Sequence, residues 1–365
     1  MPSQRDVEAD AVALAFQAAL TRIGAHSVAE ALILWQTLPA QSQQSTAQAW
    51  LAQAVQLVMS GRRDAQALAR AYYRLARALY TGKTIPDPLD LSEPTSISLS
   101  DLRSQFDSLA FQSAPVASQG STPPSPTRTP QEGGSGRRGP VDVPLEDQAA
   151  RDQEAKEERI LIEEIRQLKA EQQAEAEAEA RAEAEEALTN LGADNQTKKN
   201  RKLDTSLPAS EIDKQRDQIH QDVGNRQASS IERMTLNGAR NELWSLSGRD
   251  KRVIGYVRLS RTGTPCGWCA MLISRGPVYR SESTASFKGG AAVYADGNTY
   301  HDNCHCYAMP VFGVQQYDNS ELFDLNRKYA EEWPRVTRGL SGKAALSAWR
   351  YFIRQEQKNL HGQAS

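Results

Sequence analysis

The chain has 365 residues, with 43 Lys plus Arg against 45 Asp plus Glu and a net charge of −2. That balance excludes a globally basic nucleic-acid binder and a strongly acidic mimic, though not local patches. No apolar run approaches the ~18 residues of a membrane span, and the polar, acidic start MPSQRDVEAD is no secretory leader, so synthesis and assembly in the cytoplasm are expected.

Residues 1–91 read as a helical bundle. Val12, Phe16, Leu20 and Ile23 recur at helical spacing. Ser27 and Glu30 fit a capping box that opens a second helix with Leu32, Trp35 and Leu38. Trp50, Leu51, Val55 and Val58 mark a third helix, and Leu68, Tyr72, Leu75 and Leu79 a fourth that stops at Gly82. Arg63, Arg70, Arg74 and Arg77 line one side of the last helix. They read as a solvated face, with phosphate or an acidic partner as the alternative.

Residues 92–145 are rich in Ser, Pro, Thr and Gly and read as a disordered linker, too polar to bury a core. Residues 146–202 read as an acidic spacer helix followed by the basic stretch KKNRK, Lys198 to Lys202. From 146 to 190 there are 15 acids and 6 bases. Leu161, Ile165 and Leu168 form an apolar stripe too short for a coiled coil. A sharper reading makes this helix an arm that docks on a basic partner.

Residues 203–319 change character. A helix over 209–245 leads into strand-like Val253 to Leu259, then Pro277 to Tyr279, then Tyr307 to Phe312. Residues 320–365 return to helix, carrying Leu322, Leu325, Tyr329, Trp349 and Phe352. The expected fold class is α+β: a helical bundle, a linker, an acidic helix and a small C-terminal α+β module.

All four cysteines fall between Cys266 and Cys306. Such clustering argues against a disulfide framework, which would spread them along the chain. Cys266 and Cys269 form C-x-x-C, Cys304 and Cys306 form C-x-C, and His301 and His305 flank Cys304. Two thiolate pairs from separate turns can complete a tetrahedral Zn²⁺ site. An all-thiolate set and a set with His301 in place of Cys306 both fit, so the metal candidates are Cys266, Cys269, His301, Cys304 and Cys306. A closed site of this kind is structural. In an extended strand Cys304 and Cys306 share a face.

Three other chemistries compete. A redox C-x-x-C wants a βαβ setting, which the surrounding pattern lacks. A zinc hydrolase wants His301 and His305 on a helix, whereas Tyr300, Tyr307 and Pro310 favour strand or loop. A nucleophilic Cys266 with His301 as base leaves three thiols unexplained.

At CGWCAMLISRG and HDNCHC the chain resembles the Mu F-like head-morphogenesis proteins, minor capsid proteins of tailed phages and prophages, in the form found in phages of actinobacteria. The resemblance covers about 210–315. It departs from the family pattern at Asp302, where Pro is common, and at His305, where Arg is frequent. The resemblance implies a minor capsid protein, present in few copies, that meets the portal protein and the major capsid or scaffold protein. It places the chain in the virion, or in the host cytoplasm during assembly, with packaged DNA as a further contact and no membrane. Some relatives are described as capsid maturation proteases. That gives the alternative function, cleavage of scaffold or capsid protein, for which Cys266 and His301 are the candidate pair.

Overall fold

The computed structural model describes residues 3–40, 44–90, 93, 97–112, 145–261, 263–278, 304 and 306–363. The chain is mostly helical, with one two-stranded antiparallel sheet near the C-terminus. The expected α+β composition is therefore present, weighted strongly toward helix.

Two long helices replace the four expected near the N-terminus: α1 (Gln4–Gln36) and α2 (Gln44–Thr81). Ser3 and Asp6 form the capping box of α1. Ser27 caps nothing. It is buried, and its hydroxyl donates to the Ile23 carbonyl one turn back at 2.9 Å, so the helix runs through it. Such back-bonding satisfies a buried hydroxyl inside a helix. α2 ends where expected, with Gly82 at φ 72° and its N–H on the Ala78 carbonyl.

The segment expected as linker contains a third helix, α3 (Leu99–Gln112), which buries Leu102, Phe106 and Ala110. Three apolar residues at helical spacing were enough to dock it. The remainder of that stretch, 113–144, lies outside the described residues.

The acidic helix, α4 (Leu145–Leu191), is docked at two places along its length and is not a free spacer. Leu161 and Ile165 join one core, and Ala180, Ala184 and Leu188 join another. The second group sits at i, i+4, i+8, one face of a helix. α5 (Ala193–Asn200) follows, with Lys198 and Lys199 in its last turn, where they complement the helix dipole. That placement gives the first half of the basic stretch a local role.

The central element is α6 (Ala209–Ser247), buried almost all round from Val223 onward against α1, α2 and α4. Glycine permits a close crossing: a Cβ at Gly238 would sit 2.5 Å from the Arg62 carbonyl oxygen on α2. The arginines of α2 are not a solvated face, apart from exposed Arg63. Arg74 bonds the Ile85 carbonyl, Gln105 and Glu93, while Arg77 bonds Asp250 at 2.6 Å. Tyr73 donates to the same carboxylate at 2.7 Å. Arg70 reaches Asp87 and Glu242. A buried guanidinium is tolerated only when paired in this way.

Strand β1 (Gly255–Ser260) pairs with β2 (Cys306–Val311), from Gly255 opposite Val311 to Ser260 opposite Cys306. The pleat sends alternate residues to opposite faces. Val257, Leu259, Tyr307, Met309 and Val311 pack on the helical layer. Tyr256, Cys306 and Ala308 face a separate C-terminal cluster. That cluster is closed by α7 (Gly267–Ile273) and, beyond the short α8 (Val314–Asn319), by α9 (Asp324–Val336) and α10 (Gly342–Gln363). Its centre is Trp349, in edge contact with Tyr329 and Trp333 at 5.6 and 5.2 Å. No strand forms at Pro277 and Val278, which lie in a turn; Tyr279 is outside the described residues.

Candidate metal centre

The site is assembled from three elements. β1 supplies Arg258. The turn after β1 and the start of α7 supply Cys266 and Cys269. The approach to β2 and its first residue supply Cys304 and Cys306. Cys266 is the N-cap of α7, and its Sγ accepts the Cys269 backbone N–H at 3.4 Å. One helical turn then carries Cys269 inward, where it is buried. Cys304 and Cys306 share the inner face of an extended segment and are buried too, as the alternation of a strand requires.

Cys269, Cys304 and Cys306 bring their sulfurs within 4.8 Å of one another, and the Cys269 and Cys304 sulfurs are 3.6 Å apart. Four sulfurs arranged tetrahedrally at ~2.3 Å around one Zn²⁺ stand about 3.8 Å apart. The three buried thiols thus have the chemistry and the separation to hold a metal ion. Cys266 lies outside this tightest group, as an exposed residue on its outer side. His301 and His305 lie outside the described residues.

Sequence reasoning missed the surroundings of the sulfurs. Arg258 is 1 % exposed, and its Nη2 lies 3.6 Å from the Cys269 sulfur and 3.5 Å from that of Cys304. Arg240 on α6 donates to the carbonyls of Cys304 at 2.6 Å and Cys306 at 3.1 Å, and holds Asn237 at 2.8 Å. Asn326 on α9 donates to the carbonyls of Arg258 and Ile273, tying β1 to α7. The available signal was an arginine at an inward-facing position of the apolar strand GYVRLS.

Electrostatics follows from these contacts. The Cys266 thiol is lowered to about 6 by hydrogen bonding from Cys269, side chain and backbone N–H, against the opposing effect of burial. At Cys269 the bond to Cys266 pushes upward, but Cys304, Cys306 and the Arg258 charge outweigh it and hold the thiol well below its ordinary value. Cys306 is pushed well above it by the bonds it gives to Cys269 and Cys304 and by burial. The surroundings therefore favour the thiolate at Cys269 and the thiol at Cys306.

Around the site, Met271 and Leu272 are core residues and Trp268 packs partly buried against them. The helix α7 does follow β1 through the C-x-x-C, but β1 and β2 are antiparallel, so no βαβ unit forms.

Among known protein families, residues 146–332, just over half of the chain, match the VG15 protein family. The chain belongs to the VG15 family. VG15 is a family of phage proteins, so this is a phage protein. No curated protein and no solved structure matches the chain. The VG15 region runs from α4 into α9 and so contains the whole cysteine centre, while α1 to α3 and α10 lie beyond it. No helix among the described residues is long and apolar enough to cross a membrane.

Proposed function

We propose that this VG15 protein is a minor capsid or head-morphogenesis protein that acts in prohead assembly near the portal. One observation carries the reading. The family region encloses the same β1–α7–β2 module whose CGWCAMLISRG and C-x-C segments resemble the Mu F-like head proteins. Its role is binding rather than turnover. The helical layer and the module form a rigid surface for the portal and the capsid or scaffold protein, inside the virion or in the host cytoplasm during assembly.

In this reading the thiols of Cys269, Cys304 and Cys306 hold a structural Zn²⁺, with Cys266 or His301 as the remaining candidate. When bound, the ion supplies a cross-link between α7 and β2. The chain's own residues position it: α7 aims Cys269 inward, Arg258 faces the sulfurs, and Arg240 fixes the Cys304–Cys306 backbone.

The test is mass spectrometry of proheads assembled from the phage head genes with and without this chain. A few copies per prohead, and abnormal heads without it, are expected. A chain absent from both proheads and virions ends the proposal. One observation keeps a second reading open: Cys266 is exposed, with a thiol lowered to about 6, as a nucleophile requires. If co-expressed capsid protein is cut, and Cys266→Ser or His301→Ala stops the cutting while the metal stays bound, the chain is a maturation protease.

A further inference from the structure

Resting on the metal reading, we propose that Cys266, Cys269, Cys304 and Cys306 bind one thiophilic divalent ion as a tetrathiolate. In this arrangement Arg258 is the positioning residue that makes the charge tolerable in the core. Three of the four sulfurs already converge. The fourth is fixed from the other side. The Cys269 N–H points at the Cys266 sulfur, so the C-x-x-C turn is wound with both thiols toward the α7 N-terminus. Pro265, just before Cys266, is itself held, its carbonyl accepting from the Gln357 side chain at 3.0 Å.

Four thiolates around a divalent ion leave a net charge of −2. Buried charge of that size needs a partner. Arg258 provides one. Its guanidinium touches two of the sulfurs from within the sheet, opposite Ala308, whose small side chain leaves the space. A guanidinium is planar and presents several N–H groups at once, so it can serve two sulfurs where a lysine serves one point. Arg240 adds a second positive charge behind Cys304 and Cys306, delivered through their carbonyls. An imidazole in place of a thiolate would lower the charge that these two arginines offset. The charge balance therefore favours the all-thiolate set.

The test uses the full chain, purified with zinc and then exchanged to Co²⁺, with chelator competition and visible absorption as readouts. One ion per chain and strong sulfur-to-cobalt absorption are expected. Cys266→Ser is expected to weaken binding and lose part of that absorption, while His301→Ala and His305→Ala leave both unchanged. Arg258→Met is expected to weaken binding about 10–100-fold, the usual cost of losing a partner of the ligands, with helix content unchanged in saturating zinc. Arg258→Lys regains part of the affinity, which a purely steric role would not allow. If Arg258→Met fails to fold, Arg258→Gln keeps an N–H donor, drops the charge and decides in its place.

The failures are distinguishable. A wild-type chain that holds no metal and titrates four reactive thiols sinks the metal reading itself. A wild-type chain with metal that His301→Ala or His305→Ala removes sinks the ligand set. Metal affinity and spectrum unchanged in the Arg258 variants sink the role of Arg258.

Discussion

The helical layer and the cysteine module stabilise themselves by different means. In the layer, α6 is buried along most of its second half against α1, α2 and α4, and stacked pairs such as Phe16 on Tyr72, at 4.2 Å, fill the space between helices. In the module the sheet has two strands among the described residues, and an isolated two-stranded ribbon is marginal in water. In the layer, buried Arg77 meets the carboxylate of Asp250; in the module, buried Arg258 meets sulfur. The contrast shows where ordinary packing suffices and where the proposed metal link would add to it.

The sharpest way to break that contrast is to remove the thiols proposed to hold the metal. Cys269→Ser with Cys304→Ser, or prolonged chelation, is expected to expose the module to protease while α1, α2 and α6 keep their helix content. If the thiols hold a structural zinc as proposed, this is the largest effect, since such sites in small zinc domains contribute about 10–16 kcal/mol. Uniform loss of circular dichroism across the chain would mean that layer and module unfold as one. Asp250→Ala strands Arg77 and Tyr73 in the core of the layer; its expected cost is about 3–5 kcal/mol, read from denaturant unfolding. Leu188→Ala tests the docking of α4 and is expected to cost about 2–5 kcal/mol, as large-to-small core changes do; a change near zero would return α4 to the role of free spacer.

Acidification is expected to have a smaller effect, centred on the layer. Burial lowers His220 below its ordinary 6.5, where it stacks on Trp35. The unfolded chain then binds the proton more readily, so this contribution is lost as pH falls through about 6.5 and below. Glu93 behaves alike at lower pH. Burial raises it, but Arg74, Gln105 and the Asp87 N–H together hold it below its ordinary 4.5, so its contribution is lost as pH falls through that region. A thermal midpoint that rises between pH 7 and pH 4 would contradict both assignments. Smallest of all is the exposed Arg103–Glu8 pair linking α3 to α1. Arg103→Ala is expected to cost about 0–1 kcal/mol, and a larger loss would show that α3 depends on that pair rather than on Phe106.

Much of this was legible in the residues. The two strands, the stop at Gly82, the shared face of Cys304 and Cys306 and the core roles of Met271 and Leu272 follow from alternation and spacing. What escaped has physical causes. Ser27 with Glu30 looks like a helix start, yet a serine that bonds the carbonyl one turn back is equally at home inside a helix. The arginines of α2 looked solvated because their carboxylate partners, Glu93 and Asp250, lie 19 and 173 positions away. α4 hid its second contact because two of the three buried residues are alanines, which read as helix formers before they read as core. Arg258 could not be assigned to the sulfurs until β1 was seen to run beside α7 and β2.

Cys269 and Cys304 are 35 positions apart in the chain and 3.6 Å apart at their sulfurs. Holding two positions that far apart at one point restricts the unfolded chain, and the restriction grows only slowly with separation, by about 0.6 kcal/mol per doubling. A link made at these sulfurs would therefore act on the unfolded chain as well as on the folded module.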